Sequence, residues 1–306
     1  MNTPQPAVSR LLRSLERELG IDLFVRQQNR LRGLTQPGRA ILQVARRIIE
    51  DADTVHKIAR DFLDVENGRL TIATTHTQAR YALPPVIQRF AARYPEVEVM
   101  IRQGSPGAIA DLVRTGDADV CIGSESAAGA DLLLFPCYSM QRIVLAPPGH
   151  PLIGARRLTL ETLVRYPIIT YDAPFVGRSK LVRSFEARGL KPKIVLSASD
   201  TDVIKAYVEH GLGIAVVAKL AFDANRDKGL RAIDASHLFE SNTIHLGVRR
   251  NDYLRGFVLD FIEMFAPRLK RTQIALRLGA VSRKSPQKKR TVSKATPGAG
   301  RSSPKA

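Results

Sequence analysis

Between residues 69 and 266 the chain alternates short apolar segments with amphipathic ones, and this alternation most constrains its fold. Alternating strand-like and helix-like segments are typical of α/β domains, whose ligand sites lie at the carboxyl ends of strands. The length suits two small lobes with a ligand cleft between them. The pattern predicts mostly parallel sheets, with strands at 69–74, 97–102, 119–123, 132–138, 142–146, 168–171, 193–197, 214–217 and 243–249. It predicts helices near 83–93, 106–115, 158–164, 178–188, 201–210 and 254–265.

Residues 1–36 carry a basic helix followed by a basic hairpin. Residues 5–19 have one apolar stripe at helical spacing, and residues 22–35 alternate around a polar centre, as a β-hairpin does. This order is the second half of a winged helix-turn-helix, whose helix enters the DNA major groove and whose wing contacts the backbone. The apolar stripe is Val8, Leu11, Leu12, Leu15 and Leu19. We expect base contacts from Gln5, Ser9, Arg10 and Arg13 and phosphate contacts from Arg30 and Arg32.

Residues 37–67 form a linker in which a long helix is predicted to about residue 65. Its apolar residues recur at three- and four-residue steps, which makes a narrow seam. A narrow seam on one long helix favours pairing with a second copy of the chain. Packing of the seam against its own domain is the alternative. The seam residues are Ile41, Val44, Ile48, Ala52, Val55, Ala59 and Phe62.

The net charge of +18 belongs to the two ends of the chain. Residues 1–47 hold nine arginines and three acidic residues, whereas residues 268–306 hold twelve lysines and arginines and no acidic residue. The part between them is neutral. Basic segments displace counterions from phosphate backbones, so both ends are candidates for double-stranded DNA binding, with a merely solvated surface as the alternative. The segment 268–306 is too polar and too rich in Pro and Gly to fold, so we expect a disordered tail.

Several classes of protein are disfavoured by what the sequence lacks. No window approaches the ~18 consecutive apolar residues of a membrane span, and the first residues have no signal-peptide core. Cys121 and Cys137 cannot build a disulfide framework, which favours a cytoplasmic location, and Cys121 sits in an apolar strand typical of core. Zinc spacing, a phosphate-binding loop and a dinucleotide fingerprint are all missing from the sequence. We therefore expect no metal, no cofactor and no enzymatic activity.

The segment Ala73–Tyr81, ATTHTQARY, carries the strongest local signal for a ligand. It joins a predicted strand to helical sequence with several hydroxyls and one carboxamide. Thr75, Thr77 and Gln78, with Ser124 at the end of another predicted strand, predict a neutral hydrogen-bonding cradle for an anion. Helix capping by a single threonine is the simpler alternative. His76 has no partner placed by sequence for catalysis, and residues 200–202 are expected to cap a helix.

Several motifs resemble those of LysR-type transcriptional regulators. Residues 5–10, 15–20 and 23–26 resemble the recognition helix and wing entry of that family, and residues 34–38 resemble its lead-in to the dimerising linker helix. His150-Pro151-Leu152 and residues 211–214 are similar to landmarks of its periplasmic-binding-protein-like effector domain. Within the family, ATTHTQARYALP at 73–84 is similar to the CysB-like branch, which controls cysteine biosynthesis and sulfur assimilation. Further similarities lie at 103–106, 170–171, 177–179 and 202–205.

The resemblance implies a tetrameric, DNA-binding activator that contacts RNA polymerase and whose two-lobed effector domain, residues 68–267, binds sulfate-like anions or acylated serine. Carried over by position, Thr75, Thr77, Gln78 and Ser124 would line the effector site. Met140 and Val176 would also line this site: Met140 stands where the branch has a cleft tryptophan, and Val176 where it has a threonine whose hydroxyl would reach the ligand. The lost hydroxyl disfavours sulfate itself while an anionic sulfur-pathway effector remains open.

Three functional hypotheses follow. The first is a transcriptional regulator whose DNA contacts respond to an effector. The second is a solute-binding protein without a role on DNA, and the third is a shortened interaction protein that sequesters a full-length paralogue through the linker seam. The third arises because LysR-type regulators have a first helix before the residues that the start of this chain resembles. Either the start codon of this chain was assigned too far downstream, or the protein is a shortened one.

Overall fold

The computed structural model describes residues 5–27, 30–62, 67–124, 131–250 and 252–278. At the N-terminal end, a helix, a two-stranded antiparallel hairpin and a long helix follow one another. They are α1 (Gln5–Leu19), β1 (Phe24–Gln27), β2 (Arg30–Leu34) and α2 (Gln36–Phe62). This is the predicted helix, hairpin and long helix, with boundaries shifted by a few residues.

A buried carboxylate fixes the hairpin to α1. One oxygen of Glu16 accepts hydrogen bonds from the backbone N–H groups of Leu23 (2.9 Å) and Phe24 (3.1 Å). The other accepts from the Arg26 guanidinium at 2.6 Å. The hydrogen bond from Arg26 is the main reason why the pKa of Glu16 lies below its ordinary value. At Gly38, near the start of α2, a Cβ atom would lie 2.0 Å from the Leu23 carbonyl oxygen, so only glycine fits there.

The remaining described elements form two lobes. Their strands are β3 (Gly68–Thr74), β4 (Val97–Gln103), β5 (Val120–Ser124), β6 (Leu132–Met140), β7 (Arg142–Ala146), β8 (Ile168–Tyr171), β9 (Ile194–Ala198), β10 (Ile214–Ala218), β11 (Arg231–Asp234) and β12 (Asn242–Arg249). Their helices are α3 (Pro84–Arg93), α4 (Pro106–Arg114), α5 (Leu160–Leu163), α6 (Val176–Glu186), α7 (Thr201–Glu209), α8 (Gly256–Phe265) and α9 (Arg271–Leu278).

Each lobe is built on one five-stranded mixed sheet. The first lobe has the strand order β4-β3-β5-β12-β6 and the second β11-β7-β10-β8-β9. The prediction of mostly parallel sheets was wrong, because β12 and β6 pair antiparallel in the first sheet and β7 pairs antiparallel with β10 and β11 in the second. The physical reason is the chain path. The chain leaves the first lobe at Met140 and returns at Asn242, its register partner, so the returning strand runs against the departing one.

Apolar side chains fill both lobes, as the alternating pattern predicts. In the first lobe the fully buried rings of Phe90 and Phe261 meet edge to face at 5.9 Å, the favoured geometry for aromatic pairs. In the second, Phe185 is buried against Phe239. Cys121 is buried in the first lobe, as expected for a core residue, and burial raises the pKa of its thiol to about 11.

The C-terminal segment corrects the expectation of disorder from residue 268 onward. Residues 271–278 form α9, whose Ile274 and Leu278 are buried in the core of the first lobe. The buried carboxylate of Asp260 in α8 holds this end by pairing with Arg271 at 3.3 Å. Composition missed α9 because its half-apolar stretch was taken together with the polar and charged residues of 279–306. The rest of the predicted tail, 279–306, lies outside the described residues.

The short strand β11 was not predicted, because it is a mostly exposed edge strand without apolar alternation.

Among the described helices, none is both long and apolar enough to cross a membrane.

Candidate functional site: a cleft between the lobes

A cleft of about 40 Å³ lies between the two lobes, which is room for a few water-sized groups. All six residues named from the sequence as effector contacts line it: Thr75, Thr77, Gln78, Ser124, Met140 and Val176. The structure adds residues that the sequence did not single out as contacts: Arg142, Tyr171, Phe175, Gly177, Ala218, Asn242 and Ile244. The two lobes therefore supply opposite walls of one cleft.

The loop after β3 forms the first wall. The Thr74 hydroxyl donates to the Ile122 carbonyl oxygen at 2.8 Å, which fixes the end of β3 against β5. The backbone then turns into a short π-helical segment, Gln78–Ala82, a conformation frequent at functional sites. Thr77 precedes this segment, yet its side chain caps no backbone N–H. The simple capping alternative therefore does not account for Thr77.

Gln78 is fully buried, and two neighbours fix the direction of its amide. The Tyr138 hydroxyl donates to Gln78 Oε1, and Gln78 Nε2 donates to the Met140 sulfur at 3.2 Å. Burial raises the pKa of the Tyr138 phenol above its ordinary value, so the phenol keeps the proton that it donates. Because Oε1 accepts from Tyr138 and one N–H of Nε2 donates to Met140, the second N–H of the amide is the group that Gln78 can offer a ligand.

The start of α7 joins the two walls. Thr77 and Thr201 share a buried hydrogen bond of 3.0 Å between their hydroxyls, and the Tyr171 hydroxyl lies 2.9 Å from Thr201 Oγ1. Asp200 caps α7 by accepting from the Asp202 N–H at 2.6 Å, as the sequence predicts for residues 200–202. Its other carboxylate oxygen lies 3.0 Å from His76 Nε2.

His76, Asp200 and Asp202 bring potential metal ligands within 4.8 Å of one another. Cationic side chains already occupy this cluster, since Arg80 lies 3.2 Å and Lys205 3.7 Å from Asp202. Burial alone would raise the pKa of Asp202. The hydrogen bond from Tyr81 and the charges of Lys205 and Arg80 outweigh this effect, so the pKa lies below its ordinary value. Lys205 also pairs with Asp227 at 2.6 Å, so the cluster is an ion-pair contact between the lobes.

Arg142 adds a charge to the cleft, on the wall opposite the neutral residues predicted from the sequence. Its residue is only 4% exposed, at the start of β7, and it lines the cleft. Burial lowers the pKa of its guanidinium, although arginine stays protonated in proteins. An arginine at the first position of an apolar strand is usually exposed to solvent, so the burial of Arg142 was not expected from the sequence. Asn242 lines the same cleft, and its Oδ1 is buried without a hydrogen-bond partner among the described residues.

The N-terminal helix presents two distinct faces. At about 100° per residue, Ser9, Arg10 and Arg13 fall within roughly 100° of one another, and both arginines are exposed. Arg32 in β2 is also exposed. On the other face the predicted apolar stripe is partly uncovered, with Leu11 67% exposed. The side chains of Gln5 and Arg30 lie outside the described part of the structure.

The seam on α2 is exposed too. Val44, Ile48 and Val55 are each more than half exposed. Packing of these three residues against their own domain is therefore not observed in the described chain.

Comparison with known proteins agrees with this arrangement. A model of the "LysR substrate binding domain" matches residues 64–270. A second model, "Bacterial regulatory helix-turn-helix protein, lysR family", matches residues 1–39. The chain belongs to the LysR family. It is a transcriptional regulator of that family, with an N-terminal helix-turn-helix segment and a two-lobed α/β effector domain, and not an enzyme.

Similar LysR-family proteins include regulators from three bacteria. The HTH-type transcriptional regulator SsuR of Burkholderia cenocepacia is 48% identical over 274 residues, covering 89% of each chain. CysB of the same organism is 43% identical, over 89% of this chain and 87% of CysB. The regulator cbl of Escherichia coli K12 is 44% identical, over 86% of this chain and 83% of cbl. Another cbl, from Klebsiella aerogenes, is 45% identical.

Solved structures show the same fold. The cofactor-binding domain of the Cbl transcriptional regulator superimposes with a TM-score of 0.67 at 41% identity, covering 69% of this chain and 93% of that domain. A full-length OxyR variant from Pseudomonas aeruginosa gives a TM-score of 0.65 over 91% of this chain and 88% of OxyR, at 22% identity, which supports the fold alone.

Proposed function

We propose that this LysR-family regulator activates genes of sulfur and cysteine assimilation in the cytoplasm and that a small anionic effector in the inter-lobe cleft controls it. The effector is sulfate or an acylserine-like anion. The observation that carries the proposal is the convergence of Thr75, Thr77, Gln78 and Ser124 on one wall of a single cleft. The similarity to SsuR, CysB and cbl supports the gene class.

The chemistry of the cleft supports an anion. Hydroxyls, the Gln78 amide and the Arg142 guanidinium supply hydrogen-bond donors on both walls. Val176 supplies no hydroxyl, so a sulfate ion would make fewer hydrogen bonds here than in a cleft with threonine at that position. The missing hydroxyl disfavours sulfate, whereas the cleft volume of about 40 Å³ favours a small anion, so the test includes both anions.

On the DNA side, we propose that Gln5, Ser9, Arg10 and Arg13 contact base edges and that Arg30 and Arg32 contact phosphates. The exposure of Arg10, Arg13 and Arg32 supports this assignment. The exposed seam on α2 supports self-association into dimers and then tetramers through this helix. An activator of this kind would also contact RNA polymerase.

Effector binding and DNA binding are coupled when the effector has different affinities for two conformations of the protein. The lobes meet at the effector-lining loop and at the start of α7, through the Thr77–Thr201 hydrogen bond and the ion pairs around it. A ligand between the lobes would therefore alter the angle between them and, through the linker helix, the bend imposed on DNA.

The test is binding of the purified chain to promoter fragments of sulfur-assimilation genes, measured at fixed salt by fluorescence anisotropy. Scrambled fragments of equal length are the control, and each titration is repeated with sodium sulfate and with N-acetylserine. We expect preference for the promoter and a change in affinity or DNA bending with one anion. Equal affinity for promoter and scrambled DNA would contradict the proposal.

A matched variant separates the two sites. Gln78→Ala is expected to leave effector-free DNA binding intact while abolishing the response to the anion, because Gln78 lies in the cleft and far in sequence from α1. An unchanged response in Gln78→Ala would show that the effector binds elsewhere.

A further inference from the structure

The guanidinium of Arg142 is a buried charge that faces the cleft. Its neighbours there are Tyr171 and Gly177, and among the described residues no carboxylate forms an ion pair with it. A buried charge without a partner costs several kcal/mol, so proteins rarely retain one unless something pairs with it. Among the described residues the Arg142 guanidinium therefore has no carboxylate to neutralise it.

The start of α6 points to the same place. Its N-cap residue, Phe175, makes no side-chain capping hydrogen bond, and the next two residues, Val176 and Gly177, line the cleft. The eleven-residue helix therefore presents the partial positive charge of its N-terminus to the cleft. A guanidinium and a helix N-terminus placed together are both suited to an anion.

Gly177 makes this juxtaposition sterically feasible. A Cβ atom at this position would lie 2.9 Å from Arg142 Nη2 and 3.2 Å from Tyr171 Cδ2. Any larger residue would therefore push the guanidinium away from the helix start. The close approach depends on a residue without a side chain.

We infer that Arg142 and the start of α6 form a charged subsite in the second lobe, which binds the oxyanion group of the effector: a carboxylate, a sulfonate or a sulfate. The inference rests on the proposed effector role of the cleft. The hydroxyls and the Gln78 amide of the first lobe then bind the other polar atoms of the same ligand. Uncharged and cationic effectors should bind more weakly than an anion, because they leave the Arg142 charge unpaired.

The test is a double-mutant cycle between protein and ligand, measured by calorimetry at constant ionic strength. The protein variants are Arg142→Gln and the matched control Arg183→Gln, which removes an exposed charge from α6. The ligands are sodium sulfate, N-acetylserine and its uncharged methyl ester. For the anion that binds, we expect Arg142→Gln to weaken binding about 10- to 100-fold and Arg183→Gln to have no effect.

The cycle distinguishes an ion pair from a general structural role. The wild-type chain should bind the methyl ester of N-acetylserine more weakly than the acid. The Arg142→Gln variant should bind the acid and the ester with similar affinity. Arg142→Gln should also leave the unfolding midpoint of the ligand-free chain unchanged or raised, since it removes an unpaired buried charge. Equal anion affinity in wild type and Arg142→Gln would overturn the inference.

Gly177→Ala provides a second variant that keeps the charge and displaces it. We expect it to weaken anion binding about tenfold, and unchanged binding would overturn the inference even if Arg142→Gln failed to fold. The proposed function fails by a different outcome, namely the absence of binding of either anion to the wild-type chain.

Discussion

Thr77 of the first lobe and Thr201 of the second share a buried hydroxyl–hydroxyl hydrogen bond of 3.0 Å. Thr201 also lies within hydrogen-bond distance of Tyr171, at 2.9 Å. Thr77 and Tyr171 both line the cleft, whereas Thr201 does not, so one hydroxyl positions a residue on each wall. Thr201 is therefore a positioning residue for the proposed effector site.

The first prediction concerns this hydroxyl. Thr201→Val keeps the shape of the side chain but leaves the Thr77 and Tyr171 hydroxyls without their shared partner. We expect about 1–3 kcal/mol of destabilisation, because unpaired buried polar groups are costly, and about threefold to tenfold weaker anion binding. Calorimetry with N-acetylserine and urea unfolding measure both effects. Thr201→Ser retains the hydroxyl and should restore binding, and a serine variant as weak as the valine variant would contradict the explanation.

The second prediction concerns Tyr138, which lies behind the cleft and orients Gln78. Tyr138→Phe removes the donor to Gln78 Oε1, so the amide is free to turn its oxygen toward the ligand. We expect about fivefold weaker anion binding, the equivalent of one net hydrogen bond. The matched control is Tyr207→Phe, which removes an exposed hydroxyl and should change nothing. Similar affinities for both variants would show that Gln78 needs no orienting partner.

The elements of the fold were largely predictable, because apolar periodicity reports which residues are buried. The predicted strands 69–74, 142–146 and 168–171 correspond to β3, β7 and β8 within one residue at each end. Sheet direction was not predictable in the same way. The antiparallel pairing of β12 depends on where the chain crosses between lobes, and local periodicity carries no such information.

The two walls of the cleft differed in how far they could be predicted. Thr75, Thr77 and Gln78 stand together in one segment after a strand, so sequence alone brings them to one place. Arg142 and Gly177 are separated along the chain and meet only through the second lobe. Nothing local to Arg142 distinguishes it from a solvated arginine, so only the fold reveals that it is buried.

The third prediction tests whether α9 belongs to the first lobe. Ile274 is fully buried, whereas Leu276 on the same helix is 84% exposed. Ile274→Ala should cost about 2–4 kcal/mol, because it leaves a cavity, and Leu276→Ala should stay within about 0.5 kcal/mol. Urea unfolding of the full chain measures the difference. Equal midpoints for the two variants would mean that α9 does not pack on the lobe in solution.

The fourth prediction concerns pH and the attachment of the hairpin to α1. The folded pKa of Glu16 lies below its ordinary value of 4.5, so its stabilising effect is present above pH 4.5 and is lost as the pH falls through the folded pKa. Glu16→Gln should therefore speed hydrogen exchange of the Leu23 and Phe24 amides several-fold at pH 7. The difference from wild type should shrink on acidification below pH 4.5. A difference that is the same at all pH values would exclude the carboxylate charge as its cause.

The last prediction separates the two kinds of DNA contact. Arg13 lies on the exposed face of α1, where the proposal places base contacts, and Arg32 lies in the hairpin, where it places phosphate contacts. Arg13→Ala should cost about 1–3 kcal/mol on the preferred promoter and reduce the preference over scrambled DNA. Arg32→Ala should weaken both DNAs equally and reduce the slope of log affinity against log salt by about one. Salt titrations of wild type, both variants and the exposed control Arg183→Ala measure these effects. A promoter preference lost in Arg32→Ala and kept in Arg13→Ala would reverse the two assignments.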